Sequence, residues 1–165
     1  MKTLVLGMGN PILSDDGIGI HVARALEGRV NQQGVTVTET SMGGLNLLDL
    51  LVNFDRVIII DAIQTVGGKV GQVYRLEPEV FNTTRHASSP HDVNFATALE
   101  LGKKLGLALP RQIDIFAIEV ADVTTFSEKC SPEVERVVPV CVEMVRGVIE
   151  NETTNSCKES AKKER

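Results

Sequence analysis

The chain has 165 residues, 42% hydrophobic and 24% charged, and carries a net charge of −5 at pH 7. That length suits one domain with a substantial core, and an acidic balance without a basic patch argues against nucleic acid or an anionic membrane as partner. No apolar run approaches a membrane span, and the N-terminus enters a strand with no leader-like segment ahead of it, so a cytoplasmic location is expected.

Strand and helix signals alternate along the chain. Thr3–Leu6 reads as a buried strand, ended by Gly7 and Gly9, which let the backbone turn tightly. Ile18, Val22, Ala25 and Leu26 give helical spacing, and Val35–Thr38 reads as a second strand. Leu47, Leu48, Leu51 and Val52 suggest a short helix. Val57–Ile60, four consecutive β-branched residues, suits a strand covered on both faces. After Gly67-Gly68, the segment Gly71–Leu76 reads as an exposed strand, an antiparallel edge. Phe95, Ala98, Leu99, Gly102 and Leu105 place a further helix with Asp92 as N-cap, followed by a strand over Ile113–Ile118.

Ser131-Pro132-Glu133 is a helix start: a capping residue, proline at the first helical position and an acid in the first turn. A stripe from Val134 to Ile149 follows it, with Pro139 expected to kink or disrupt the helix. Residues 151–165 lose nearly all apolar character and read as a disordered polar tail. The alternation predicts an α/β fold: a three-layer sandwich with a mostly parallel twisted sheet, helices on both faces and an antiparallel edge strand, in one domain over residues 1–150.

The candidate chemistry sits where strands end, the edge at which open α/β sheets build their sites. Asp15 and Asp16 follow the first strand, and Asp61 follows the third. Asp15 reads as a cap or a dipole-favoured acid. A carboxylate at Asp61, beside an apolar strand, is partly desolvated and needs a partner, a cation or a raised pKa, unless it caps the loop. His91 stands before the third helix, with His86 a nearby rival, whereas His21 reads as a helix-surface group. Two carboxylates and an imidazole from separate loops suit a borderline transition metal such as nickel or zinc, with positions left open.

Other chemistries fit poorly. Gly7-x-Gly9 lacks the third glycine of a dinucleotide loop, since position 12 is Ile12, and Glu39 lies too far along to serve as the ribose-binding acid. No serine sits in a G-x-S-x-G elbow, and no H-E-x-x-H motif exists. Three widely spaced cysteines form neither a disulfide framework nor a metal motif, and Cys141 lies on the apolar stripe as a core residue.

Three motifs in order carry a family resemblance: Gly7-Met8-Gly9-Asn10-Pro11-Ile12-Leu13-Ser14-Asp15-Asp16-Gly17-Ile18-Gly19, then Ile59-Ile60-Asp61-Ala62, then Ser89-Pro90-His91. From about Met1 to Glu150 the chain resembles the hydrogenase maturation endopeptidases, which process the large subunit of nickel–iron hydrogenases. The resemblance implies an enzyme that removes the C-terminal peptide of the precursor once nickel is loaded. It assigns nickel contact to Asp16, Asp61 and His91, with Asp16 or Asp61 as candidate base, and substrate recognition to Met42, Gly43 and Gly44. Met42 stands where the family usually has threonine. The nickel is expected to arrive with the precursor, no cofactor is expected to be held permanently, and the chain is expected to act as a monomer. Either metal-activated water or a carboxylate base would complete the cleavage. The alternatives are a nickel-sensing chaperone that cleaves nothing and a nucleotide-binding α/β module.

Overall fold

A computed structural model describes residues 1–78 and 95–163, with side chains described through residue 151 except at position 96. Five strands form one sheet: β1 (Thr3–Met8), β2 (Val35–Thr40), β3 (Arg56–Ile63), β4 (Val73–Leu76) and β5 (Gln112–Glu119). The order is β2-β1-β3-β5-β4. All pairings are parallel except β4 with β5, which is antiparallel and closes one edge. The mostly parallel sheet and the antiparallel edge strand agree with the sequence.

Helices cover both faces. Val5, Ile58, Ile60, Phe116 and Ile118 pack against α1 (Ile18–Leu26) and the C-terminal helix. The alternate residues Leu4, Leu6, Val57, Ile59 and Ile115 pack against α2 (Leu47–Leu51) and α3 (Phe95–Lys104). Burial on both faces accounts for the unbroken apolar runs of β1 and β3, because a strand of period two alternates its side chains between two dry layers. Cys141 is fully buried in the first of these layers, as its place on the apolar stripe predicts.

The C-terminal region departs from expectation in three ways. The helix starts at Pro132 as predicted, but α4 ends after one turn at Glu135, and α5 begins afresh at Val138. Pro139 thus falls in the first turn of a new helix, where its missing N–H costs nothing, and the chain breaks before it. Ser131 does not cap α4; its hydroxyl donates to Asp15 instead. Finally, α5 runs on to Lys163, so residues 151–163, read as a disordered tail, continue the helix. That segment holds no glycine or proline to stop a helix, and three of its residues are lysine and two glutamate. A helix already nucleated by packed residues propagates through such a sequence without an apolar stripe.

Candidate active site

Asp16 lies in the 3-10 turn Ser14–Gly17, between the end of β1 and the start of α1, and is buried. Its Oδ2 accepts a hydrogen bond from the Asn10 N–H at 2.9 Å. Gly9 makes that loop possible. Its φ is +140°, and a Cβ there would stand 1.9 Å from the Asp16 carbonyl oxygen. Only glycine both adopts the angle and leaves the room.

Asp61 is the sixth residue of β3 and pairs in register with Ala117 of β5. It is half-buried, and its Oδ1 accepts the Ala62 N–H at 2.8 Å. The Asp16 turn reaches this strand end through Gly19: a Cβ on Gly19 would lie 2.2 Å from the Ile60 carbonyl oxygen and 2.3 Å from that of Met8. The first turn of α1 therefore lies directly on the ends of β1 and β3, bringing the two acids to one edge of the sheet.

Met42, Gly43 and Gly44 leave β2 at the same edge. The Thr40 carbonyl accepts from the Gly9 N–H at 3.2 Å, and the Thr40 hydroxyl accepts from the Met42 N–H at 3.0 Å. Gly44 is buried at φ +61°. His91, the third residue assigned by resemblance, and its rival His86 lie outside the described residues, as does Asp92. Among the described residues no group of three or more His, Cys, Asp or Glu side chains is placed to hold a metal ion.

Asp15 has another job than capping. It is 0% exposed, and no side chain caps either the turn or α1. Its Oδ1 accepts the Ser131 N–H at 2.6 Å, and its Oδ2 accepts the Asp122 N–H and the Ser131 hydroxyl, each at 3.1 Å. The Asp15 N–H in turn donates to the Asp122 carbonyl at 2.9 Å. This carboxylate ties the Asp16 turn to the loop leaving β5 and to the start of α4. Glu119 does the same for the loop leaving β3, accepting both the N–H and the hydroxyl of Thr65 at 2.7 Å. His21, read as a surface group, has its Nε2 buried with no hydrogen-bond partner, against the Asn10–Gly17 loop.

Neither Cys130 nor Cys141 offers a thiolate near neutral pH. Burial, reinforced by the negative charges of Asp15 and Glu135, pushes the Cys130 thiol up to about 12. Burial alone does the same to Cys141. Their thiolate fractions at pH 7 are then on the order of 10⁻⁵, too low for a nucleophile. Native alkylation at pH 7 should spare both, so mass spectrometry should count at most one adduct before unfolding and three after. Fast labelling of the half-buried Cys130 in the folded protein would contradict its raised pKa.

Known proteins resemble this chain over most of its length. A family model described as hydrogenase maturation protease matches residues 20–148. The hydrogenase 2 maturation protease of Escherichia coli is 34% identical over 116 residues, 65% of this chain and 71% of that protein. The structure of the hydrogenase maturating endopeptidase HybD from E. coli superposes with a TM-score of 0.78 at 28% identity, covering 92% of this chain and 94% of that one. The HybD [NiFe] hydrogenase maturation protease of Thermococcus kodakarensis gives a TM-score of 0.66 at 25% identity, covering 90% and 99%. With the sheet order, the glycine-built turn and the two edge carboxylates already in place, these matches show that the chain belongs to the hydrogenase maturation protease family.

Proposed function

We propose that this endopeptidase removes the C-terminal peptide of a nickel–iron hydrogenase large-subunit precursor after nickel insertion. Asp16, Asp61 and His91 contact the nickel that the precursor carries, so cleavage waits for loading. The observation that supports this reading is the placing of two acids at one edge of the sheet, with Asp16 on a turn whose following helix packs on Ile60, the residue of β3 before Asp61. Carboxylate oxygens and an imidazole suit a borderline divalent metal, and ligands from separate loops leave room for the substrate's own groups. A carboxylate here serves cleavage in either of two ways: as a ligand to the precursor's nickel, or as the base that deprotonates the attacking water. Met42, Gly43 and Gly44, at the neighbouring strand end, contact the precursor.

A nucleotide-binding role is disfavoured on two observations. The space a phosphate would need behind Gly9 is filled by the Asp16 carbonyl. Glu39, the acid ending β2, is held by Arg24 through two hydrogen bonds of 2.8 Å rather than open to a ribose. The test is incubation of the purified protein with nickel-loaded and nickel-free precursor, read by the mass of the product. Loss of a C-terminal peptide from the loaded form alone is expected. Tight nickel-dependent association with no change of mass would mean a chaperone.

A further inference from the structure

The loops at the carboxyl end of the sheet expose apolar side chains that a monomer would ordinarily hide. Ile12 is 48% exposed and Phe126 is 82% exposed. The two lie on neighbouring backbone segments, because Ser127 forms a parallel bridge with Leu13. The Ser127 N–H donates to the Ile12 carbonyl at 3.0 Å, and the Ser127 carbonyl accepts the Ser14 N–H at 2.9 Å.

Phe126 is presented by a braced loop. On one side Asp122 Oδ1 accepts the N–H groups of Thr124 and Thr125 at 3.1 and 3.0 Å. On the other, the Ser127 hydroxyl accepts from the Lys129 N–H and donates to the Lys129 carbonyl. Behind both, the Asp15 carboxylate grips Asp122 and Ser131. Ser127 spends its own N–H and C=O on Ile12 and Ser14, and among the described residues those of Phe126 make no backbone hydrogen bond. An exposed aromatic ring beside an open backbone donor and acceptor is what an extended peptide needs to dock by strand addition.

We propose that Ile12 and Phe126 form a shelf that docks an extended stretch of the hydrogenase precursor through an apolar side chain, beside the acids that cut it. This rests on the proposed function and adds where the substrate lies. Three features favour the precursor over other occupants. Ile12 lies four residues before Asp16 on the same loop, so an occupant of the shelf sits near that acid, and a second copy seated there would crowd it. Two side chains bury far less than the roughly 1,200–2,000 Å² of a stable dimer. The rim carries Asp122 and Glu128 against Lys129, so an anionic membrane surface is a poor match.

The test compares wild type with Phe126→Ser, Ile12→Ser and Phe126→Leu on nickel-loaded precursor. The serine variants should raise KM about tenfold at Phe126 and less at Ile12, with kcat within about twofold and melting unchanged. Phe126→Leu should restore KM to within about threefold. An unchanged KM in a wild-type-active background overturns the shelf and leaves the function standing. If the wild type cuts nothing, the function falls, and calorimetric titration of precursor then decides the shelf: tenfold weaker binding by Phe126→Ser upholds it, equal binding overturns it. A dimer that Phe126→Ser dissociates in sedimentation, without a change in KM, would make the occupant a second copy and refute the proposal.

Discussion

Asp61→Asn should lower precursor cleavage by about 10²- to 10⁴-fold while leaving the fold intact. The amide is nearly isosteric, and its carbonyl oxygen can still accept the Ala62 N–H that Asp61 Oδ1 now holds at 2.8 Å. Val57–Ile60, which anchor β3 in both cores, are untouched. What disappears is the negative charge. An amide is a poor ligand for a divalent metal and no base near neutral pH, so both routes to cleavage fail together. The measurement is the rate of product formation by mass at equal folded concentration, with folding followed by circular dichroism. Asp49→Asn, an exposed acid on α2, is the matched control and should cut like wild type. Asp15→Asn cannot serve in that role. Every group around the Asp15 carboxylate is a donor, so an amide NH₂ would face N–H or O–H groups and leave buried donors unmet, at about 1–3 kcal/mol each. Wild-type-like cleavage by Asp61→Asn would remove Asp61 from the site.

What could be read from the chain was local. Four β-branched residues in a row can hardly be anything but a buried strand, and β3 is one. Gly7 and Gly9 announce a tight turn after β1, and the structure needs glycine there for reasons of space and angle. Asp16 follows β1, and Asp61 lies two residues inside the end of β3, which runs on past the apolar run to Ile63; periodicity places both acids near strand ends, which is why they could be picked out. Long-range bonds left no such signal. Asp15 looks like a helix-start acid, yet its partners lie 106 to 116 residues away. Ser131 looks like a cap, and its hydroxyl is drawn off by the same distant carboxylate. The helical continuation past residue 151 leaves no mark in apolar spacing, because no apolar stripe runs through it. Propensity without periodicity extends a helix that packing has already begun.

Arg56 shows the same blindness to distance, and it carries the largest expected effect on stability. In sequence it is a polar residue opening β3. In the fold its side chain is 1% exposed on the face shared with α1 and α5, and its Nε and Nη2 donate to Asp114 Oδ2 at 2.9 and 2.5 Å. Arg75, reaching in from the edge strand β4, donates to the other oxygen. Burial alone would push the Asp114 carboxyl up, but hydrogen bonds from Arg75 and Arg56, backed by their charges, hold it below the usual carboxylate range. Asp114→Ala removes the carboxylate that the buried Arg56 guanidinium holds through Nε and Nη2, and breaking a buried pair from one side costs about 3–5 kcal/mol. Thermal melting should fall by roughly 10 °C, whereas Arg75→Ala, whose side chain is 54% exposed, should cost about 1 kcal/mol or less. The pH dependence follows from the same carboxylate. Its folded pKa lies below the unfolded value of about 3.9, so its stabilisation is full above that value and is lost as the pH falls through the folded pKa. Denaturant titrations between about pH 2 and 5 should therefore show wild type losing stability more steeply than Asp114→Ala, with the gap between them narrowing as the acid protonates. A variant that melts within a degree or two of wild type at pH 7 would show that the pair does not hold the sheet.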